Sequence, residues 1–270
     1  MGTIGFIGSG NMAEAIINGI IEAEVYKPEE ILISDIREER LGFLAEKYGV
    51  KVFKDNDKLA SSVDTLVLSV KPQMMSDVLE NIKDSIGSVK LVISIAAGIK
   101  VEKIASVLGD IAIIRVMPNT PSLIGEGAAA LFANEKAKDM VDDTLTIFSA
   151  VGKAVVVEEE GLIDAVTAVS GSGPAYYFLL MEEMIKAGVE LGLPEDTTKE
   201  LVLQTAKGAG LLASHADKAG ESPAILRKKV TSPGGTTEAA LKRFAEGDFG
   251  SLVSAALKRA CDRSKELSGN

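Results

Sequence analysis

The sequence predicts an α/β fold in which a doubly wound, mostly parallel sheet is followed by an all-α C-terminal region. Up to about residue 160, short and almost wholly apolar runs alternate with segments of helical periodicity. Such apolar strands are typical of a parallel sheet that helices cover on both faces. Beyond that point the periodicity is helical, with no convincing strand. We therefore expect two domains, at 1–160 and 161–270.

The predicted elements follow one another as strand, helix, strand. Apolar runs predict strands at 3–8, 30–35, 65–70, 91–98 and 111–119, and the runs GAAALFA and GKAVVVE could extend the sheet. Helical periodicity predicts helices between several of these strands, at 11–24, 37–48 and 73–84. This alternation is typical of consecutive βαβ units.

Composition limits the classes of function. The 270 residues, 46% of them hydrophobic, can bury a core of two domains. A net charge of −10 argues against binding to nucleic acid or to an anionic membrane, since both need a basic surface. No apolar run is long enough to span a bilayer and no basic leader precedes one, so we expect a cytoplasmic protein. With one cysteine, Cys261, and one histidine, His215, we expect no disulfide within the chain and no metal site.

A glycine motif follows the first predicted strand. In GFIGSGNMAEAI, Gly8, Gly10 and Ala13 have the G-x-G-x-x-A spacing of dinucleotide-binding sites. The first glycine permits a tight turn, the second allows backbone to approach a pyrophosphate, and the small third residue lets the helix pack on the strand. The alternative is a tight turn without a ligand. The residues that we expect to contact the cofactor here are Phe6, Ile7, Gly8, Ser9, Gly10, Asn11 and Met12.

The end of the second strand gives conflicting indications of cofactor preference. Asp35 is placed to accept the ribose hydroxyls of NAD and to repel a ribose phosphate. Arg37 and Arg40 follow it and could instead pair with the phosphate of NADP, or could be ordinary surface charges at a helix start. With Ser34 beside them, the sequence predicts a site for NADP or NAD.

Three later strand ends should meet the same crevice, because ligands bind beyond the carboxyl ends of strands in such sheets. Their loops are SVKPQ, SIAAGI and MPNTP, and each could also be simple turn chemistry. The residues that we expect to contact the cofactor there are Ser69, Val70, Lys71, Pro72, Ala96, Ala97, Gly98 and Asn119.

The stretch TSPGGTTEAAL, residues 231–241, interrupts the helical C-terminal region. Pro233 and the glycine pair after it allow a sharp turn, and Thr236 or Thr237 can N-cap the next helix. The exposed N–H groups of that helix start, with the hydroxyls of Ser232 and Thr237, predict a cradle for a small carboxylate. One helix cap alone does not require so many small polar groups.

Five segments together resemble the pyrroline-5-carboxylate reductases, the last enzymes of proline biosynthesis: GFIGSGNMAEAI, SVKPQ, MPNTP, DAVTAVSGSGPAY and LRKKVTSPGGTTEAAL. The resemblance covers essentially the whole chain in the same order. It implies a Rossmann domain joined to a helical domain that interlocks with a second copy in a homodimer, and in some members a larger ring. The implied reaction is hydride transfer from NAD(P)H to the C=N bond of 1-pyrroline-5-carboxylate, giving L-proline.

The resemblance also implies roles for individual residues. Thr237 matches the last threonine of the family motif and is expected to be the hydrogen-bond partner of the imine nitrogen; whether it or a water donates the proton is open. Ser34 and Asn56 are expected at the adenosine ribose. The expected carboxylate-binding residues are Ser232, Gly234, Gly235 and Thr236.

Two other classes share parts of this pattern. Hydroxyacid dehydrogenases of similar architecture place a catalytic lysine one helical turn past a glycine stretch, where this sequence has Tyr177. A non-catalytic dinucleotide-sensing protein would bind cofactor without turnover, but it would leave the Ser-Pro-Gly-Gly-Thr-Thr stretch without a purpose.

Overall fold

The computed structural model of the protein describes residues 2–269 and contains one eight-stranded sheet. Its strands are β1 (Ile4–Ile7), β2 (Ile31–Ser34), β3 (Lys51–Phe53), β4 (Thr65–Leu68), β5 (Leu91–Ser94), β6 (Ile113–Met117), β7 (Gly127–Ala133) and β8 (Gly152–Val156). They are ordered β3-β2-β1-β4-β5-β6-β7-β8, and only the β6–β7 pair is antiparallel. The first six strands have the order of a dinucleotide-binding sheet.

Helices cover both faces of this sheet. The helices between the strands and directly after the last one are α1 (Asn11–Glu22), α2 (Glu38–Tyr48), α3 (Asn56–Ala60), α4 (Met75–Ile82), α5 (Val101–Leu108), α6 (Val141–Ser149) and α7 (Leu162–Val166). Successive strand residues face opposite sides, so Ile31 and Ile33 join one core cluster and Leu32 joins the other. Fully burying each such side chain contributes about 1.5–3 kcal/mol.

The remaining helices follow without a strand in the described part of the chain. They are α8 (Gly173–Glu190), α9 (Glu195–Asp217), α10 (Pro223–Lys229), α11 (Thr236–Glu246) and α12 (Phe249–Leu267). A π-helical turn, Thr167–Gly171, lies between α7 and α8. The predicted change from α/β to all-α structure is therefore confirmed.

The described chain forms two compact units. One contains the residues up to Pro174 together with those from Lys258 onward, and the other is Ala175–Leu257. The end of α12 belongs to the sheet unit, where the Ser264 hydroxyl donates a 2.6 Å hydrogen bond to the buried carboxylate of Asp164. The boundary between the compact units thus lies after residue 174 rather than at residue 160. Two segments of the expected domain 161–270, residues 161–174 and 258–269, belong to the unit that contains the sheet.

The predicted strands are all present, with ends shortened by the turns that follow them. Strand β3 was not predicted, because it is a three-residue edge strand whose side chains are mostly exposed and therefore lack an apolar pattern. No helix within residues 2–269 is both long and apolar enough to cross a membrane.

Candidate active site

Glycine occurs at positions 8 and 10 for different reasons. Gly8 has φ +89°, and a Cβ there would lie 2.9 Å from backbone atoms of Ser69, so the fold itself requires glycine. Gly10 is the N-cap of α1 with φ −70°, which any residue can adopt, and a Cβ there would meet no atom within 4 Å. The protein has no packing reason for glycine at position 10, whereas a pyrophosphate approaching the helix N-terminus would need that space.

Ser9, between the glycines, is fully buried and holds the glycine loop in place. Its N–H donates to Asp35 Oδ2 at 2.8 Å, and its hydroxyl donates to the Ser34 carbonyl at 3.2 Å. Its carbonyl accepts a 2.7 Å bond from Arg40 Nε. The polar atoms of Ser9 are therefore used within the protein, where they fix the backbone of the glycine loop. A contact between Ser9 and the cofactor stays a prediction.

Asp35 is paired with Arg37. The Arg37 guanidinium donates through Nε and Nη2 to both carboxylate oxygens at 2.9 Å, and its backbone N–H adds a third bond at 3.0 Å. Partial burial raises the pKa of Asp35, but hydrogen bonds from Arg37 and from the Ser9 N–H outweigh burial and hold the pKa at about 2. The carboxylate stays ionised, and Arg37 neutralises much of its charge.

The Arg40 guanidinium is bound by groups of the protein itself and is not free to pair with a phosphate. Besides its bond to the Ser9 carbonyl, it forms a 2.5 Å ion pair with Glu14, and both side chains are only 17% exposed. Glu14 also accepts from Lys47 and from the Tyr48 hydroxyl. Of the two arginines that the sequence offered as phosphate partners, only Arg37 is exposed.

Ser34 and Asn56 lie together at the ends of β2 and β3. The Ser34 hydroxyl is fully buried and donates a 2.8 Å bond to Asn56 Oδ1, and Asn56 is the first residue of α3. Ser34 adjoins Asp35 in sequence. A contact of Ser34 or Asn56 with the adenosine ribose stays a prediction. Ser34 acts by orienting Asn56, because its own side chain has no exposed surface.

The Ser69–Pro72 loop lies beside the glycine loop, because β1 and β4 are neighbours in the sheet. The Ser69 hydroxyl donates a short hydrogen bond to the Gly8 carbonyl, which ties the two loops together. Val70 packs against one core cluster, whereas Lys71 and Pro72 are exposed at the start of a 3-10 turn.

The loop after β5 is closely packed. Ala96 is buried, Ala97 is half-buried, and Gly98 has φ +73°. A Cβ on Gly98 would lie 3.3 Å from backbone atoms of Leu267, at the end of α12. At Gly98, therefore, the backbone conformation and the packing against Leu267 both favour glycine.

Asn119 is buried and uses its side-chain amide within the protein. Its Oδ1 accepts a 2.8 Å bond from the Ala128 N–H, and its Nδ2 donates a 3.0 Å bond to the Ser170 carbonyl. These bonds join the start of β7 to the π-helical turn. A contact between Asn119 and the cofactor stays a prediction.

The remaining predicted cofactor residues divide by exposure. Phe6 and Ile7 are buried in β1, so their side chains belong to the core and only their backbone can reach a ligand. Asn11 is exposed and Met12 half-buried in the first turn of α1, beside Gly10.

In the helical unit, the glycine pair shapes the loop before α11. Gly234 has φ +71°, and its N–H donates to Glu238 Oε2 at 2.7 Å. The N–H of Gly235 donates to the Ser232 carbonyl at 2.9 Å. Gly235 is the N-cap, with no side-chain cap, so the expectation that Thr236 or Thr237 caps this helix is wrong. Both threonines are instead the first two helical residues.

Because Gly235 occupies the N-cap position, the threonine hydroxyls do not cap the helix. Within residues 2–269, the side chains of Ser232, Thr236 and Thr237 make no hydrogen bond in the protein. They accompany backbone N–H groups at the positive end of a helix of eleven residues. Binding of a small carboxylate at this loop stays a prediction. No group of His, Cys, Asp and Glu in the described chain is placed to hold a metal ion.

The strand order and the open glycine position at the start of α1 place the protein among the Rossmann-fold oxidoreductases that use dinucleotides. A family model described as NADP oxidoreductase, coenzyme F420-dependent, matches residues 3–98. A second, described as pyrroline-5-carboxylate reductase dimerisation, matches residues 160–267.

The similarity to known proteins extends over nearly the whole chain. Pyrroline-5-carboxylate reductases of Pseudomonas aeruginosa and Arabidopsis thaliana are 43% and 37% identical, each over 98% of this chain and 96% and 95% of their own. The protein belongs to the pyrroline-5-carboxylate reductase family. A solved reductase of Coxiella burnetii has a TM-score of 0.92 at 42% identity, covering 99% of this chain and 98% of its own. One of Plasmodium falciparum, with NADP bound, has a TM-score of 0.86 at 32% identity, covering 98% of each chain.

Family membership confirms the predicted fold class, the predicted imine reductase and its use of a nicotinamide cofactor, and it does not favour the dehydrogenase and sensor alternatives. The dimerisation model that matches the helical region also indicates a homo-oligomer.

Proposed function

We propose that the protein reduces 1-pyrroline-5-carboxylate to L-proline, with NADPH or NADH as the electron donor. The observation that carries this proposal is similarity over nearly the full length of the family's members. The Ser-Pro-Gly-Gly-Thr-Thr loop is one of the segments in which the sequence resembles that family. Bound NAD(P)H supplies a hydride to the ring carbon of the C=N bond, and the nitrogen gains one proton. Protonation of the nitrogen makes the C=N carbon electrophilic enough to accept hydride, so the protein must chiefly align the reactants.

We assign binding of the cofactor to the glycine loop and its neighbours. Gly10 and the N-terminus of α1 accommodate the pyrophosphate, while Asn56, Asp35 and Arg37 meet the adenosine ribose. The open position at Gly10 and the half-exposed Arg37 support this assignment. The further residues assigned to the cofactor are Phe6, Ile7, Gly8, Ser9, Asn11, Met12, Ser34, Ser69, Val70, Lys71, Pro72, Ala96, Ala97, Gly98 and Asn119.

We assign binding of the substrate to the loop before α11. Ser232, Gly234, Gly235 and Thr236 bind the carboxylate, and Thr237 hydrogen-bonds the imine nitrogen. The helix N-terminus and the three uncommitted hydroxyls support these roles. On this proposal 1–160 is the cofactor domain and 161–270 the substrate and dimerisation domain.

We also propose that the helical domain forms a cytoplasmic homodimer, which can assemble into a larger ring. The helical unit exposes many large apolar side chains, which is unfavourable in water unless another surface covers them. Those more than half exposed include Tyr177, Phe178, Leu179, Leu191, Leu201, Leu211, Leu212 and Leu252.

Steady-state oxidation of NADPH and of NADH tests the activity, with 1-pyrroline-5-carboxylate as substrate and a small 2-keto acid in parallel. We expect turnover on the cyclic imine alone. Turnover on the keto acid alone would favour a hydroxyacid dehydrogenase, and cofactor binding without turnover on either would favour a sensor.

A further inference from the structure

A partly buried ion pair, Arg115 with Glu160, contacts the residue that follows the loop between β5 and α5. Glu160 Oε1 accepts a 3.1 Å hydrogen bond from Arg115 Nη1 and a 2.8 Å bond from the backbone N–H of Val101. One carboxylate oxygen thereby joins β6 to the start of α5. Neither Arg115 nor Glu160 was assigned a role from the sequence.

Loss of the Glu160 contact would destabilise the protein, because Arg115 is buried. Its side chain is 2% exposed, and within residues 2–269 Glu160 is its only ion-pair partner. Its Nη2 and the hydroxyl of Ser94, the residue opposite it on β5, are buried without a hydrogen-bond partner in the described chain. Loss of the Glu160 carboxylate would leave the Arg115 charge buried and unpaired, which would strongly destabilise the folded protein. The ion pair therefore holds Glu160 in place.

At its other contact, Glu160 acts on the start of α5. The N-cap residue of this helix, Lys100, provides no side-chain cap, and Val101 is the first helical residue. The Glu160 carboxylate satisfies one of the free N–H groups and places negative charge at the positive end of the helix dipole. It thus fixes the point where the β5–α5 loop, residues 95–100, enters its helix.

The same loop is fixed elsewhere along its length. At its start, the Ile95 N–H donates to the Leu68 carbonyl at 3.1 Å. In its middle, Gly98 packs against the backbone of Leu267. Glu160 provides the third attachment, at the end of the loop. In a sheet of this order, the half from β4 onward carries the second mononucleotide of the cofactor, which is the nicotinamide half.

We propose that Glu160 is a positioning residue for the nicotinamide end of the cofactor, acting through the β5–α5 loop with Arg115 as its buried counter-ion. This inference rests on the proposed function. Glu160 itself does not touch the reacting atoms: it sets where the loop backbone lies, and through that backbone the face on which the nicotinamide rests.

Binding of two ligands tests this role. One ligand is the cofactor that the wild-type enzyme prefers, and the other is the same molecule without its nicotinamide: ADP-ribose for NADH, or its phosphorylated form for NADPH. We expect Glu160→Ala to raise the Kd of the complete cofactor and to lower kcat, each about tenfold. The Kd of the shortened ligand should stay within about twofold, because the adenosine half binds elsewhere.

Two further variants sharpen the result. Glu160→Gln keeps an oxygen that can accept both hydrogen bonds but removes the counter-charge of Arg115, so it should recover part of the affinity that Glu160→Ala loses. Glu159→Gln makes the same chemical change at an exposed neighbouring residue and should match wild type. If Glu160→Ala fails to fold, the double variant Glu160→Ala/Arg115→Met removes the unpaired buried charge; it should fold and still bind the nicotinamide end weakly.

Equal loss of affinity for both ligands would overturn the proposal, because it would mean general destabilisation of the domain. Unchanged affinity for the complete cofactor would overturn it as well. Failure of the proposed function is separable, since wild-type enzyme without turnover on the imine would refute that function and leave the two binding measurements interpretable.

Discussion

The backbone N–H of Ser9 donates a 2.8 Å hydrogen bond to Oδ2 of Asp35, joining the glycine loop to the end of β2. The carboxylate that is expected to select the ribose therefore also holds the glycine loop in place. Since Arg37 forms an ion pair with the same carboxylate, we expect cofactor choice to depend on both residues rather than on Asp35 alone.

Replacing Asp35 by Ser should shift the enzyme toward NADPH. The substitution releases the Arg37 guanidinium to pair with a ribose phosphate and removes a repelling charge. We expect the ratio of kcat/KM for NADPH to that for NADH to rise about tenfold. Glu38→Ser is the control, because Glu38 is a neighbouring carboxylate that pairs with Lys54 instead. An unchanged ratio would mean that Arg37 or the backbone decides cofactor choice by itself.

The Asp35 carboxylate should make stability depend on acid. Its pKa is lowered from 3.8 to about 2 in the folded protein. A lowered pKa means that ionised Asp35 stabilises the fold above pH 3.8, and that this contribution is lost as the pH falls toward about 2. Urea unfolding of wild type and Asp35→Asn between neutral pH and about pH 3 measures the effect. The stability difference should narrow on acidification, and a constant difference would contradict the assignment.

The two glycines of the loop should respond oppositely to alanine. Gly8→Ala should destabilise the fold by about 1–3 kcal/mol, because φ is positive and backbone lies against the new methyl group. Gly10→Ala should cost less than about 1 kcal/mol of stability but should greatly weaken cofactor binding. Thermal unfolding and cofactor titration measure these effects. Normal cofactor affinity in Gly10→Ala would exclude the proposed pyrophosphate position.

Removal of the Thr237 hydroxyl should slow turnover without weakening the cofactor complex. We expect Thr237→Ala to lower kcat about tenfold or more, since its partner is the imine, and Thr237→Ser to retain activity. Thr231→Ala is the matched control, because Thr231 lies in the same loop but its hydroxyl donates to the Arg227 carbonyl of α10. Steady-state kinetics and cofactor titration separate the two effects. If cofactor binding collapsed in Thr237→Ala, this threonine would have been placed at the wrong ligand.

A charge on the exposed apolar side of α8 should dissociate the oligomer. Phe178 is 60% exposed in the described chain, next to Tyr177 at 67%. A dimer that buried Phe178 would have to desolvate a carboxylate in Phe178→Glu, so we expect a monomer by sedimentation velocity. Glu39→Lys, an exposed change on the sheet unit, should leave the assembly intact. A Phe178→Glu dimer as stable as wild type would place the interface elsewhere.

The sheet was predictable because its central strands are continuous apolar runs and its loops contain glycine and proline. β3 was not, because a short edge strand with exposed side chains carries no apolar signal. The division into compact units was also unpredictable, since helical periodicity in α12 does not say which core the helix joins.

Within the site, local sequence indicated the loops but not the partners of their side chains. The spacing of Gly8 and Gly10 predicted a glycine loop, whereas nothing local indicated that Arg40 binds the Ser9 carbonyl. A threonine near a helix start suggested a cap, but the preceding glycine takes that position. Glu160 lies in the run EEEG, which reads as solvated, and only the distant Arg115 makes it structural.

The hydrogen bond between Ser264 and Asp164 joins residues one hundred positions apart. On the ribosome the sheet emerges first, yet α12, which lies against Gly98 and bonds to Asp164, is synthesised only after the helices α8 to α11. A nascent chain therefore cannot finish its nucleotide-binding half until the helical segment between has been translated. Truncation before Lys258 should leave this half incomplete, even though every strand of its sheet would be present.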